Sequence, residues 1–260
     1  MSTRPAAVAG YFYEADRARL QQQVEQLLGA EATSGADLPR ALIVPHAGYI
    51  YSGSTAARAY RCLLAAPERV KRVLLIGPAH RVYLKGMAIP SVARFATPLG
   101  EIPLDRDALD QIARLPAVQI SDEAHREEHS LEVQLPFLQS VLPEFTLVPL
   151  VVGAVDAGPV AAVIDALATD PHTLVVISSD LSHFLSYREA QRIDASTCEH
   201  ILDKSTSLSG EEACGARAIN GLMASSQAAS LEVSLLQVCN SGDTAGTPNR
   251  VVGYAAFALH

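Results

Sequence analysis

Histidine and aspartate side chains follow three apolar runs of this chain, directly after the point where each run ends. They lie in Pro45-His46-Ala47, in Pro78-Ala79-His80 and in Ser178-Ser179-Asp180-Leu181-Ser182-His183. Imidazoles that converge with a carboxylate suit a transition metal, general acid–base chemistry, or both. These side chains are therefore a candidate site, although they are far apart in sequence.

The apolar runs before these motifs predict buried strands of a parallel sheet. Each is apolar at every position, without the alternation typical of a half-exposed strand. The runs are Ala41–Val44, Val73–Ile76 and Leu174–Ile177. In an open α/β sheet, ligands bind in the crevice beyond the carboxyl ends of the strands. We therefore expect the histidines and the aspartate to converge at one edge of the sheet.

Two interpretations of Asp180 remain open at this point. An aspartate and a histidine three positions apart face the same side of a helical turn, so Asp180 could orient or charge-balance His183 as an acid–base group. Alternatively, Asp180 is only the N-cap of a helical turn. Near the first histidine, Tyr49 and Tyr51 follow in a glycine-containing segment, and we expect them to line the pocket.

The segment His125-Arg126-Glu127-Glu128-His129 matches the inverted zinc-peptidase pattern H-x-x-E-H. Two histidines four positions apart on a helix share a face and can bind zinc. The apolar periodicity begins only after this segment, however. We therefore favour an interpretation in which Glu128, His129 and Glu132 begin a helix whose first turn faces the pocket.

Composition bounds the class of protein. The chain has 260 residues, of which 49% are hydrophobic and 18% charged, and its net charge is −8. Such a chain can bury a large core, and its charge argues against nucleic acid or an anionic membrane as the main partner. No apolar run is long enough to span a membrane, and no signal peptide is evident, so we expect a cytoplasmic protein. The four cysteines show no C-x-x-C spacing.

Strands alternate with helices along much of the sequence. This pattern predicts a single α/β domain over residues 1–260, with a mostly parallel or mixed central sheet and helices on both faces. We expect a hairpin or loop over 95–102, one helix over 130–142 with a kink at Pro136, and a helix capped by Ser54. Two closing strands are predicted over 231–239 and 251–259.

Taken together in order, these motifs resemble the Memo family. The resemblance rests on Arg4-Pro5 with Ala9-Gly10-Tyr11-Phe12-Tyr13, on the three strand-end motifs, and on Glu128-His129-Ser130-Leu131-Glu132 with Cys214-Gly215. Microbial members are called AmmeMemoRadiSam system protein B, which implies an association with a radical-SAM partner. The family is similar in fold to class III extradiol (LigB-type) dioxygenases, which hold iron through two histidines and a glutamate.

The resemblance also implies roles for residues of this chain. His46 and His80 match the two histidine ligands of the metal, His183 matches the catalytic histidine, and Asp180 is its neighbour. For the third ligand, the alignment with animal Memo proteins puts Thr244 where those proteins have a cysteine. Threonine is a poor ligand for such a metal, so the neighbouring Asp243 is the expected substitute.

Two functions are compatible with these expectations. The first is a metal-binding, redox-active protein that resembles a non-haem iron dioxygenase, with iron expected and copper or zinc as alternatives, and with no nucleotide cofactor. The second is a non-catalytic module whose pocket binds a small molecule or a peptide and which acts through a partner. Fold alone does not establish ring cleavage. An H-x-x-E-H zinc hydrolase is the minor alternative.

Overall fold

The continuous apolar runs form the centre of a nine-stranded mixed sheet. The computed structural model describes residues 2–29 and 38–260. The strands of both sheets of the protein, in chain order, are β1 (Thr3–Arg4), β2 (Ala41–Val44), β3 (Arg72–Pro78), β4 (Met87–Ile89), β5 (Arg94–Thr97), β6 (Gly100–Pro103), β7 (Val118–Ile120), β8 (Thr146–Val152), β9 (Thr173–Ser178), β10 (His183–Leu185), β11 (Val233–Asn240) and β12 (Val251–Leu259).

Helices flank this sheet on both faces, as the alternating pattern predicts. They are α1 (Arg17–Leu28), α2 (Tyr49–Arg61), α3 (Arg106–Ile112), α4 (Asp122–Arg126), α5 (His129–Glu132), α6 (Leu135–Val141), α7 (Ala157–Leu167), α8 (Tyr187–Leu202), α9 (Ala216–Ala224) and α10 (Ser226–Ala229). Helices α1, α2 and α6 pack on one another, and α7, α9 and α10 form a second group. Among the described residues, no helix is both long enough and apolar enough to cross a membrane.

The strand order explains how distant motifs meet. The strand order in this sheet is β10-β12-β2-β9-β3-β8-β4-β7, and β11 also pairs with β12. Strands β2, β9, β3 and β8 are parallel neighbours, whereas β4 is antiparallel to β8 and β12 is antiparallel to β2. The predicted mixed sheet is therefore confirmed. A separate three-stranded sheet, β1-β5-β6, contains the predicted hairpin.

Register brings the three polar motifs to one edge. Val44 pairs with Ser178 across β2 and β9, and Ile76 pairs with Ile177 across β3 and β9. The segments that follow these strands therefore leave the sheet side by side. Strands β2 and β9 beneath them are buried along their whole length.

Two predicted helices differ from the structure. The helix expected over 130–142 is two short helices, α5 and α6, and Pro136 lies in the first turn of α6, where its missing N–H costs no helical hydrogen bond. The helix that Ser54 was expected to cap begins earlier, at Tyr49, with Gly48 at its N-cap.

Candidate metal centre

Three histidines lie together at this edge of the sheet. Each of His46, His80 and His129 offers a ring nitrogen, and these nitrogens all lie within 4.8 Å of one another. The ring centroids are 5.2 Å apart for His46 and His80, 5.5 Å for His46 and His129, and 4.7 Å for His80 and His129. His46 is buried, His129 is partly exposed and His80 is exposed. A metal ion can be held by such a group while one side stays open to a ligand.

Backbone elements of very different kinds position the three rings. His46 follows β2 and His80 follows β3, whereas His129 is the first residue of α5, which packs on β3. Gly77 in β3 makes this packing close, because a Cβ there would lie 2.8 Å from Ser130 Oγ and 2.9 Å from a methyl of Leu131. Only the absence of a side chain lets α5 bring His129 to the other two histidines.

The tautomer of His46 follows from its neighbours. The Ser178 hydroxyl donates its one proton to the Ser130 carbonyl at 2.6 Å, so Ser178 Oγ must accept from the groups around it. It accepts from His46 Nδ1 at 2.9 Å and from the Gln134 amide at 2.9 Å. His46 Nδ1 therefore carries the proton, and Nε2 keeps the lone pair that a metal needs.

Glu128 fixes the tautomer of His80 in the same way. Its carboxylate accepts from His80 Nδ1 at 2.9 Å, from the His80 backbone N–H at 2.6 Å and from the Ser130 N–H at 2.9 Å. Burial alone would raise the pKa of Glu128, but the hydrogen bonds and the charge of His80 hold it at about 2. A carboxylate that accepts from a metal-ligating histidine orients the ring and increases its basicity. His80 Nε2 is thus the free ring nitrogen.

His129 has a buried ring nitrogen without a hydrogen bond. Its Nδ1 finds no partner among the described residues, and the nearest carboxylate oxygen, Glu128 Oε1, is 3.5 Å away. Burial lowers the pKa of His129 to about 4. Burial also lowers the pKa of His46 well below its ordinary value, and charge on His80 or His129 would lower it further. Neutral imidazoles are the form that binds metals, so this donor set fits a transition-metal ion.

Asp180 and His183 lie beside this group but are not bonded to each other. Asp180 Oδ1 accepts from the His46 backbone N–H at 2.7 Å, and its other oxygen is 4.0 Å from His46 Nε2. Burial raises the pKa of Asp180 to about 7. His183 Nδ1 donates to the Leu181 carbonyl at 2.8 Å, which leaves Nε2 as a proton acceptor. Asp180 thus fixes the backbone of His46 rather than the ring of His183.

Cys214 is a neighbour that motif reasoning from the strand ends does not find. Its thiol lies 3.3 Å from His46 Nε2 and 3.3 Å from the Asp180 backbone nitrogen. Burial raises the pKa of Cys214 to about 12, and the charge of Asp180 acts in the same direction. Cys214 lies just before α9. In the sequence it is recognised only as part of the Memo resemblance, because a single cysteine without a paired spacing does not indicate a site by itself.

Glu132 joins the N-terminal segment to the site. It is fully buried and accepts from Arg4 Nη1 at 2.7 Å, from the backbone N–H groups of Ala7 and Val8 at 2.8 and 2.9 Å, and from the Tyr13 hydroxyl at 2.7 Å. Its role is therefore to anchor residues 4–13. The anchored segment places the ring of Phe12 4.8 Å from that of His129.

The remaining candidates of the sequence analysis lie elsewhere. Asp243 and Thr244 are exposed in the turn after β11 and outside the histidine group. Asp243 accepts from the Asn240 N–H at 2.9 Å and from the Tyr187 hydroxyl, and Thr244 Oγ1 donates to the Ser241 carbonyl at 3.2 Å. Tyr49 is buried, where its hydroxyl donates to the Val133 carbonyl. Tyr51 is half-buried in the first turn of α2.

The H-x-x-E-H segment does not form one helix. Helix α4 ends at Arg126, and α5 begins at His129, so the two histidines do not share a helical face. His125 is buried in a different place, where its Nε2 bonds to the Ala88 carbonyl at 2.9 Å and its ring meets Phe95 edge-on. The geometry that a zinc peptidase of this type requires is therefore absent from this segment.

Comparisons with known proteins agree with this arrangement of motifs. A family described as Memo-like protein matches residues 4–258. A MEMO1 family protein of Aquifex aeolicus is 34% identical over an alignment of 270 positions, which covers 98% of each chain. The memo-1 homolog of Caenorhabditis elegans is 36% identical over an alignment of 188 positions, which covers 70% of this chain and 53% of that protein.

Solved structures show the same fold at lower similarity. The crystal structure of an uncharacterized protein of Escherichia coli K12 superposes with a TM-score of 0.52, covers 85% of this chain and 99% of its own, and is 11% identical. At that identity the likeness concerns the fold alone. The sequence relatives and the family match, in contrast, extend over nearly the whole chain. The chain belongs to the Memo family.

Proposed function

We propose that this protein binds a divalent transition-metal ion through His46, His80 and His129 and uses it in chemistry on a small hydroxyl-bearing molecule. The observation that carries the proposal is the group of three ring nitrogens within 4.8 Å. Two of the rings have their tautomers fixed by Ser178 and Glu128, so that each presents Nε2. Such preorganisation is the usual accompaniment of a metal site.

The other residues of the edge suit a reaction beside the ion. A bound metal acts as a Lewis acid and supplies a coordination position for substrate. His183 keeps an unprotonated Nε2 because its Nδ1 donates to the Leu181 carbonyl, and burial lowers its pKa. It can therefore accept a proton from a hydroxyl group at neutral pH. Asp180 holds the backbone of His46 in place.

Iron is the metal that the likeness to class III extradiol dioxygenases implies, and three imidazoles also suit copper and zinc. The third ligand in this proposal is His129, because the Asp243 carboxylate lies in an exposed turn, where it accepts hydrogen bonds from the Asn240 N–H and the Tyr187 hydroxyl. The redox role and the dioxygenase-like reaction are parts of the same proposal, as is a radical-SAM partner, which rests on family association alone.

Metal content tests the proposal directly. Protein purified without oxygen and then reconstituted separately with Fe²⁺, Cu²⁺ or Zn²⁺ is expected to retain close to one ion per chain. His129→Ala should lose that ion, whereas Asp243→Ala, at an exposed position, should keep it. For the iron form, nitric oxide binding reports an open coordination position. A wild-type protein that retains none of the three metals, or a His129→Ala variant that retains all of its ion, would refute the proposal and favour the non-catalytic pocket.

A further inference from the structure

A cavity of about 290 Å³ opens beside the histidine group. Its lining includes His80, Cys214 and the side chains of Val82, Leu84 and Val152. This volume is close to the lower end of the range of about 300–1,000 Å³ in which small-molecule sites fall. The cavity therefore has room for a compact molecule, and not for a folded peptide.

A guanidinium group stands at the cavity without an ionic partner. Arg217, in the first turn of α9, lines the cavity and is exposed. The arginine ion pairs among the described residues involve Arg4, Arg72, Arg94 and Arg106 and not Arg217, although Asp156 lines a neighbouring hollow together with Arg217. The chain has a net charge of −8, which repels anions at long range, so this guanidinium is a local group that can attract an anion to the cavity.

The chemistry of the lining narrows the class of anion. A guanidinium fork matches a carboxylate through two parallel hydrogen bonds. The lining also contains the aliphatic side chains of Val82, Leu84 and Val152, together with the exposed Tyr83. A phosphate with two charges would call for several donors, and among the described residues Arg217 is the one lysine or arginine that lines this cavity.

We infer that this cavity binds a small organic carboxylate with a compact apolar body, its carboxylate on Arg217 and its other end toward His80. The inference rests on the proposed function, because it assigns the cavity as the place of the substrate beside the metal. Arg217 is then the residue that selects anionic over neutral ligands. The apolar walls select the size and polarity of the body.

Benzoate and its neutral analogue benzamide are the probes for this inference. Ligand-observed NMR titrations compare wild type with Arg217→Gln and with Arg114→Gln, a matched control at an exposed arginine that does not line the cavity. We expect benzoate to bind Arg217→Gln at least about tenfold more weakly than wild type, and Arg114→Gln as wild type does. Benzamide should bind wild type at least about tenfold more weakly than benzoate does. Val82→Trp, which fills the cavity but keeps the guanidinium, should also weaken benzoate binding.

The titrations are run on metal-free and metal-loaded protein, with metal content measured for every variant. Absence of metal in all samples would count against the proposed function, while the Arg217 dependence in metal-free protein would still test this inference. The inference is overturned if benzoate does not bind, if Arg217→Gln binds it as wild type does, if Arg114→Gln weakens it equally, if Val82→Trp leaves it unchanged, or if benzamide binds as well as benzoate.

Discussion

Replacing Glu128 by glutamine removes one charge from the buried carboxylate behind His80 and changes its shape very little. The carboxylate accepts three hydrogen bonds, two of them from His80. Its pKa falls from 4.5 to about 2 in the folded protein, which corresponds to about 3 kcal/mol in favour of the ionised form. A glutamine resembles the protonated acid, and its amide would also face the His80 N–H as a second donor. We therefore expect Glu128→Gln to lower the free energy of unfolding by about 3 kcal/mol at pH 7.

The sign of this effect sets its pH dependence. A carboxylate whose folded-state pKa is depressed stabilises the folded protein above its unfolded pKa, and this stabilisation is lost as pH falls toward the folded value. The difference between wild type and Glu128→Gln should therefore be full above pH 4.5 and shrink as the pH falls toward 2. Affinity for the metal should also fall, by about 10–100-fold, because His80 loses its acceptor.

Urea unfolding of metal-free protein measures the first effect, and competition with a chromophoric chelator measures the second. Glu127→Gln is the matched control, since Glu127 is the exposed neighbour in sequence and should change neither quantity. If Glu128→Gln unfolds within about 1 kcal/mol of Glu127→Gln and holds metal equally well, the assigned role of Glu128 is refuted.

Three further predictions follow from other contacts. Glu132→Gln leaves Arg4 buried without its counter-charge, so urea unfolding should show a free energy of unfolding lower by about 3–5 kcal/mol. The double variant Arg4→Met with Glu132→Gln should recover part of this loss. Equal losses in the single and double variants would exclude the coupling between the two side chains. Burial lowers the pKa of His125 from 6.5 to about 4, so as the pH falls the unfolded state takes up a proton before the folded state does. The free energy of unfolding should therefore decrease between pH 6.5 and 4, and in His125→Gln this decrease should be smaller by up to about 3 kcal/mol. A pH profile of unfolding that is the same in wild type and His125→Gln would contradict this. Gly77→Ala should displace α5, destabilise the fold by about 1–3 kcal/mol and weaken metal binding. Gly158→Ala, at an open position of α7, should change neither the thermal unfolding nor the metal affinity measured by chelator competition. Equal behaviour of the two variants would count against the close packing of α5 on β3.

The part of the site that lies on strand ends could be predicted from the sequence. Apolar runs without alternation identify central strands, and parallel strands end at a common edge, so the proximity of His46 and His80 follows from local pattern and topology. The mixed sheet and its closing strands follow in the same way. These features depend on periodicities that a few consecutive residues reveal.

The place of His129 depends on a contact that no local pattern contains. It is set by a glycine in β3 that lets α5 approach, and the two partners are distant in sequence. Charge type alone suggested that Glu132 faces the pocket, whereas it is a fully buried anchor for Arg4, far away at the start of the chain. Long-range hydrogen bonds of this kind decide which side of a polar helix is buried, and sequence periodicity does not report them.

The position of β2 in the sheet has a consequence for the newly made chain. This strand, which leads to His46, pairs on one side with β9 and on the other with β12. Strand β12 is completed about 200 residues after β2, which at about 5–20 residues per second takes about 10–40 s. During that time the apolar residues of β2 lack their final neighbours and are a surface that chaperones can protect. Since β9 is also made late, the ring nitrogens of the site cannot be assembled on the ribosome early, and an ion has no complete place to bind until most of the chain has been synthesised.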